Sequence, residues 1–157
     1  MIYVGLDLAT STGWAVLGAN GEHLASGTWT LAQRGDSYGA RWLRLRARLR
    51  ETLDAFGDDD AAVGYEFVEQ THESRPAAIV YGGLVSAMTT LLDERGVPYV
   101  AQKVGDVKRH ATGKGNASKD AVVAAAVERW DFEPSSHDEA DALWIADVTR
   151  AEMEGEA

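Results

Sequence analysis

The sequence predicts a mixed α/β fold in which helices cover the faces of one sheet. Three observations predict it: apolar segments of strand length open the chain, amphipathic helical patterns then alternate with short apolar segments, and no repeat or linker interrupts them. The predicted order is three strands, a helix, a strand, a helix, a strand and two helices. With 157 residues and an apolar fraction of 45%, the chain can bury one core. We therefore expect a single domain over residues 1–150.

The first three strands are predicted to be antiparallel neighbours. Residues 1–9 form an apolar segment, 10–13 read as a turn, and a second strand starts at Trp14. Asn20-Gly21 is typical of a tight hairpin turn, and the third strand follows over 24–31.

Apolar periodicity and turn residues place the later elements. The predicted segments are a helix with a basic outer face over 36–56, a strand over 61–68, a helix over 77–95 ending at Gly96, a strand over 97–101, a basic connection over 105–116, a helix beginning at Ser118, and a last helix over 137–150 capped by Ser135 or Ser136. The acidic tail 151–157 is expected to fray.

The charge of the chain is unevenly distributed. The net charge is −10, but residues 128–157 carry ten acids and two bases, whereas residues 1–127 carry fifteen acids and thirteen bases. Basic residues cluster in the helix 36–56 and again over 103–119, and local positive charge is what contacts with phosphate need.

The chain has no cysteine, which excludes disulfides and thiolate metal sites. The opening residues lack a signal-peptide pattern and no apolar run approaches a membrane helix, so we expect a soluble, cytoplasmic protein.

Four carboxylates stand where a core would normally reject them. Asp7 interrupts the first strand, Glu66 ends the fourth, and Asp138 and Asp141 share one face of the last helix. Converging acids repel one another unless cations are present, and hard oxygen ligands suit Mg²⁺ or Mn²⁺. Two such ions could activate water and stabilise the leaving oxygen of a phosphodiester. Taken singly, each acid also has a structural interpretation as a turn, strand-end or helix-dipole residue.

The order of these motifs resembles the RuvC-like Holliday junction resolvases, especially their short phage-encoded branch. The matching blocks are GLDLATSTGW at 5–14, Tyr65-Glu66, VYGGL at 80–84, Val107-Lys108, GKGNASK at 113–119 and DEADAL at 138–143. They span nearly the whole chain.

The resemblance implies a ribonuclease H-like fold with a mixed five-stranded sheet whose first three strands are antiparallel. It also implies a homodimer, two Mg²⁺ ions per site with Mn²⁺ as a substitute, and hydrolytic nicking of four-way DNA junctions in recombination or repair to leave 5′-phosphate ends. The residues it implies as metal-binding and catalytic are Asp7, Glu66, Asp138 and Asp141, with Lys119 as a further catalytic residue and with Lys108, Arg109, Lys114, Asn116 and Lys119 on the DNA. An ammonium beside the scissile phosphate would stabilise the charge that grows in the transition state. The alternative for the basic segment is a solvated surface loop.

The sequence departs from the family at Glu69, where cellular members carry an aromatic residue three positions after the strand carboxylate. Glu69 is also a rival to Glu66 for the second carboxylate, although on one strand the two would face opposite sides. Two alternatives stay open: a nuclease for flaps, forks or RNA–DNA hybrids, and a junction-binding protein without catalysis.

Overall fold

One five-stranded sheet carries five helices in this computed structural model, which describes residues 1–57, 59–68 and 74–156. The strands are β1 (Ile2–Asp7), β2 (Ser11–Gly18), β3 (His23–Thr30), β4 (Ala61–Phe67) and β5 (Tyr99–Lys103). The helices are α1 (Tyr38–Phe56), α2 (Arg75–Arg95), α3 (Val104–Thr112), α4 (Lys119–Trp130) and α5 (His137–Met153).

The sheet is mixed, as the sequence predicts. Its strand order is β3-β2-β1-β4-β5. The pairs β1–β2 and β2–β3 are antiparallel, whereas β1–β4 and β4–β5 are parallel. The second strand begins at Ser11 rather than at Trp14, because the preceding turn is shorter than expected: the Thr12 hydroxyl donates to the carbonyl of Ala9 at 2.6 Å and closes it.

Two apolar cores lie on opposite faces of the sheet. Val4, Leu6 and Val16 pack towards α1 and α2, and Ala15 and Leu17 pack towards α4 and α5. This alternation follows from the two-residue period of a strand. Asp7 therefore belongs to the face of β1 that α5 covers, together with Gly5.

Glycines allow α5 to lie very close to the sheet. A Cβ atom added at Gly5 would lie 2.0 Å from the carbonyl oxygen of Ala142, and one at Gly13 would lie 1.9 Å from that of Asp138. At Gly64 an added Cβ would meet the Thr149 hydroxyl at 2.0 Å. Since these glycines lie on three adjacent strands, α5 approaches the backbone of the sheet at three points between Asp138 and Thr149.

The basic connection predicted over 105–116 is wrong, because most of it is the helix α3. The spacing of Val104, Val107 and Ala111 places apolar side chains along one side of a helix, and Val107 is buried against α4 and α5. Gly113 ends the helix in the left-handed conformation, with φ of 83°. The strand before it is shifted accordingly and runs to Lys103.

The basic face predicted for α1 is largely neutralised by ion pairs. Arg44 pairs with Asp36, and the guanidinium of Arg46 lies 3.0 Å from the carboxylate of Glu94 on α2. Arg48 lies 3.5 Å from Glu51, one turn along α1. Three arginines of α1 are therefore paired with acids, and one of these pairs joins α1 to α2.

Residues 151–156, part of the tail expected to fray, make contacts with the rest of the domain. Helix α5 continues to Met153. Beyond it, Glu154 accepts a hydrogen bond from the Tyr3 hydroxyl, and Glu156 lies 2.9 Å from the guanidinium of Arg150. These contacts join Glu154 to β1 and Glu156 to α5.

Helix α2 is, within the described residues, the one helix long and apolar enough by length and composition to cross a membrane. The apolar runs of the sequence do not predict such a helix. Only 22% of its apolar window is buried, but Leu84, Met88 and Leu91 belong to the core beneath α1. Core helices of soluble proteins can have the same length and composition, so these two properties do not distinguish a core helix from a membrane span.

We predict that Gly5→Ala destabilises the fold, because the new methyl group would overlap the backbone of α5. Overpacking of this kind costs about 1–3 kcal/mol in the free energy of unfolding. Gly82→Ala is the matched control, since an added Cβ on this face of α2 meets nothing within 4 Å and Ala is the better helix former by about 0.5–1 kcal/mol. Urea unfolding of both variants measures the difference, and equal stabilities would contradict the close packing of α5.

Candidate metal and nucleic-acid site

The first two carboxylates lie side by side at the ends of parallel strands. Gly5 of β1 pairs in register with Gly64 of β4, and both face α5. Asp7 lies two residues after Gly5, and Glu66 lies two residues after Gly64. Both carboxyl groups therefore point to the same face of the sheet, at the C-terminal ends of β1 and β4, where α5 begins. This register agrees with the sequence argument for Glu66.

The third and fourth carboxylates come from the first turns of α5. The Ser136 hydroxyl accepts a hydrogen bond from the amide of Glu139 at 3.1 Å and caps the helix. Asp138 and Asp141 then face the strand ends, and carboxylate oxygens of Asp7, Asp138 and Asp141 all lie within 4.8 Å of one another. Glu66 joins this cluster through a side-chain hydrogen bond with Asp7. All four acids predicted from the sequence are therefore brought together.

The four half-buried acids destabilise one another when all are ionised. Burial, together with the negative charges of the three neighbouring carboxylates, raises the pKa of Asp7 to about 9. Burial also raises the pKa of Asp141 to about 6, and it raises the pKa of Glu66. Near neutral pH the metal-free chain thus retains a proton on Asp7, which the hydrogen bonds with its neighbours stabilise.

The donor set fits a hard divalent cation. The cluster offers carboxylate oxygens only, which are the ligands that Mg²⁺ and Mn²⁺ prefer, and it contains no sulfur or imidazole ligand among the described residues. A bound cation would replace the proton and remove the repulsion. The residues available to hold it are Asp7, Glu66, Asp138 and Asp141.

Two lysines bring positive charge to this cluster. Lys108 on α3 and Lys119 at the start of α4 both lower the pKa of Glu66 and of Asp141, so their ammonium groups lie within electrostatic reach of the carboxylates. Lys119 follows the cap residue Ser118 and is the first residue of α4, so it lies at the positive end of the helix dipole. A phosphate between these lysines and the carboxylates would meet charge of both signs.

The other residues predicted to contact DNA are exposed on the surface. Arg109 pairs with Asp106 at 2.8 Å and its side chain is 61% exposed. Lys114 and Asn116 are exposed in the turn that joins α3 to α4. Their role on DNA stays a prediction. Glu69, the rival second carboxylate, lies outside the described residues.

Glu139 is a residue whose environment the sequence analysis did not anticipate. It stands between two candidate ligands, yet its side chain is almost fully buried, at 2% exposure. Its carboxylate accepts hydrogen bonds from the hydroxyl of Ser26 at 2.6 Å and from the amide of Ser135 at 2.7 Å. The sequence signal was the capping-box spacing of Ser136 and Glu139, which places an acid three residues after a serine cap.

The chain is similar to bacterial proteins named crossover junction endodeoxyribonuclease RuvC. It is 28% identical over 151 residues to the protein of Salinibacter ruber, covering 93% of this chain and 83% of that protein. The identity to the protein of Ruegeria pomeroyi is also 28% over 151 residues, covering 93% of this chain and 88% of the relative. No protein-family model matches the chain.

Solved structures of RuvC proteins are similar to this chain over its full length. Thermus thermophilus RuvC matches with a TM-score of 0.81 at 25% identity, and its complex with a Holliday junction substrate matches with a TM-score of 0.82 at 26% identity. Both matches cover 100% of this chain and 98% of the other. The yeast mitochondrial Holliday junction resolvase Ydc2 shares the fold, with a TM-score of 0.63 at 14% identity over 97% of this chain and 80% of the other. In its fold, its motif order and its sequence over nearly the whole chain, the protein is similar to the RuvC proteins, which share the ribonuclease H-like fold.

Proposed function

We propose that this protein is a structure-selective endonuclease that resolves four-way DNA junctions in recombination or replication processing. The observation that carries the proposal is the meeting of four carboxylates at the ends of β1 and β4 and the start of α5, with Lys108 and Lys119 beside them. Similarity to RuvC proteins, one of them solved with a Holliday junction substrate, supports the choice of substrate.

The chemistry that the site supports is hydrolysis of a phosphodiester. Two Mg²⁺ ions, or Mn²⁺ in their place, would supply an activated water and a Lewis acid for the leaving oxygen when bound by the four acids. Lys108 and Lys119 would orient the phosphate and stabilise its growing negative charge. The products would carry 5′-phosphate and 3′-hydroxyl ends.

A homodimer suits this substrate. A four-way junction has two opposed strands to cut, and a two-fold dimer presents one site to each of them. The N-terminal half of α2 supports the dimer, because it exposes apolar surface that includes Ile79, at 43% exposure. We further propose that the protein acts in the cytoplasm of a bacterial cell and that it is encoded by a phage.

Two alternatives make different predictions. A binding protein without catalysis would not need an acid at each of the four positions, and here all four are present and clustered. A nuclease of wider range would cut forks, flaps or RNA–DNA hybrids as well as junctions. Cleavage of a panel of these substrates distinguishes the alternatives.

Asp7→Asn and Asp141→Asn should each lower the rate of junction cleavage by roughly 10³-fold, since each removes a carboxylate from the metal site. Folding and junction binding should persist. The measurement is strand-labelled cleavage of a four-way junction, fork, flap, duplex and RNA–DNA hybrid in Mg²⁺, Mn²⁺ or EDTA.

Glu51→Gln is the control for this experiment, because Glu51 is an exposed acid of α1 outside the cluster. Metal-dependent cleavage that survives in both aspartate variants would contradict the proposed site. Junction binding without any cleavage by the wild-type chain would favour the binding protein, and equal cutting of the whole panel would favour the wider nuclease.

The lysines should separate into two classes. Lys108→Ala and Lys119→Ala should reduce kcat by about 10²-fold, because their charges lie next to the reacting phosphate. Lys114→Ala should leave kcat nearly unchanged and weaken junction binding. The slope of log affinity against log salt concentration should fall by about one in magnitude, because one phosphate contact is lost. Single-turnover cleavage and binding at several salt concentrations distinguish these effects, and a large loss of kcat in Lys114→Ala would contradict the assignment.

The stability of the metal-free protein should fall as pH rises towards 9. The folded state raises the pKa of Asp7, so it favours the protonated form, and this stabilisation is lost as pH rises through about 9. Asp7→Asn cannot ionise and should therefore melt above the wild type at pH 9 in EDTA. A difference of about 1–2 kcal/mol corresponds to roughly 2–8 °C in Tm for a domain of this size.

Addition of Mn²⁺ at pH 8 should raise the Tm of the wild type more than that of Asp7→Asn. Differential scanning calorimetry measures both effects. A wild-type Tm that exceeds that of the variant in EDTA at pH 9 would show that the carboxylates do not repel one another.

A further inference from the structure

The buried carboxylate of Glu139 belongs to a partly buried chain of hydrogen bonds that joins α5 to the edge strand β3. The Ser26 hydroxyl donates its one hydrogen to Glu139 at 2.6 Å, so it must accept at its other contact, the 2.7 Å bond with Nε2 of His23. Burial lowers the pKa of His23, which is consistent with a neutral ring that carries its proton on Nε2. The hydroxyl of Ser135 donates to the second oxygen of Glu139 at 2.6 Å, as does the Ser135 amide.

A second contact joins the same two elements. The hydroxyl of Thr28 on β3 lies 3.1 Å from that of the cap residue Ser136. Ser26 and Thr28 lie on one face of β3, because they are two residues apart on a strand. The first turn of α5 is thus held to β3 at two points.

The position of Glu139 on the helix explains what these bonds control. Successive residues of an α-helix are about 100° apart, so Asp138 and Asp141 are separated by about 60°, whereas Glu139 points well away from both of them. The helix is therefore fixed from the side opposite to its two ligands. The backbone carbonyl of Asp138 also packs directly against Gly13 of β2, where there is no room for a side chain.

Rotation or displacement of this turn would move two of the four candidate ligands at once. Their oxygens lie within 4.8 Å of the carboxylate of Asp7, and a divalent cation tolerates little change in the positions of its ligands. The bonds of Glu139 to fixed groups on β3 and on the preceding turn oppose such a movement.

We propose that Glu139 and Ser26 are positioning residues for metal binding, which set the rotation of α5 and through it the placement of Asp138 and Asp141. This inference rests on the proposed metal site but not on the DNA substrate. It assigns a function to β3, a strand that contributes no acid to the cluster.

The experiment is Mn²⁺ binding to the full chain by isothermal titration calorimetry, without DNA. Ser26→Ala is the decisive variant, because it removes a hydrogen bond to Glu139 and leaves every charge in place. We expect its Kd for Mn²⁺ to rise roughly tenfold, as for other groups that orient metal ligands. Glu139→Gln should weaken binding at least as much, since it also replaces an acceptor with a donor that faces the Ser135 amide.

A control of similar chemistry separates positioning from general destabilisation. Thr52→Val removes a buried hydroxyl that donates to the Arg48 carbonyl at 2.9 Å, on the opposite side of the sheet. It should lower the Tm and leave the Kd for Mn²⁺ unchanged. In the cleavage assay, Ser26→Ala should raise the Mn²⁺ concentration for half-maximal rate more than it lowers kcat at saturating Mn²⁺.

The possible outcomes separate this inference from the proposed function. Wild-type affinity in both Ser26→Ala and Glu139→Gln would overturn the positioning role and leave the metal site intact. A loss of affinity in Thr52→Val equal to that in Ser26→Ala would also overturn it, because the effect would then follow stability alone. Absence of Mn²⁺ binding by the wild type would overturn the metal site itself and this inference with it.

Discussion

The close approach of α5 to the sheet is the constraint on which the rest of the structure depends. Gly5, Gly13 and Gly64 lie on three adjacent strands, and none of them has room for a Cβ atom. A helix that rests on backbone in this way can bring its first turns to the strand ends, where Asp7 and Glu66 project from the same face. Longer side chains at these glycines would lift the helix and separate the two pairs of acids. The packing of small residues is therefore what assembles the site.

This packing has an electrostatic cost that the chain offsets in several ways. Burial and the charges of the neighbouring carboxylates raise the pKa of Asp7 most, and burial raises the pKa of Asp141 and of Glu66. Lys108 and Lys119 reduce the repulsion in the folded chain, and bound cations would remove most of it. The buried bonds of Glu139 show that further negative charge is held nearby, on the opposite side of α5, by hydrogen-bond donors rather than by a cation. Binding of a divalent ion and stability of the fold are therefore linked.

Local patterns predict the mixed α/β sheet and single out the four carboxylates, although each acid taken singly also has a structural interpretation and only their joint order along the chain favours one site. An acid inside an apolar strand, as at Asp7, or at the end of one, as at Glu66, is visible in the sequence because its neighbours are apolar. Other features depend on tertiary contacts. The arginines of α1 suggested a basic face, but partners such as Glu94 lie far away in sequence. Helix α3 was predicted as a loop because Gly105 and several charged residues obscure its apolar spacing. The buried bond of Glu139 with Ser26 joins residues 113 positions apart, and no local pattern indicates it.

The central claim is that the carboxylate cluster is a two-metal site, and anomalous diffraction from crystals soaked in Mn²⁺ tests it most directly. The account predicts two anomalous peaks, a few ångströms apart, bounded by Asp7, Glu66, Asp138 and Asp141. Both peaks should weaken or disappear in crystals of Asp7→Asn. A map at saturating Mn²⁺ that shows no peak among these four acids would contradict the account.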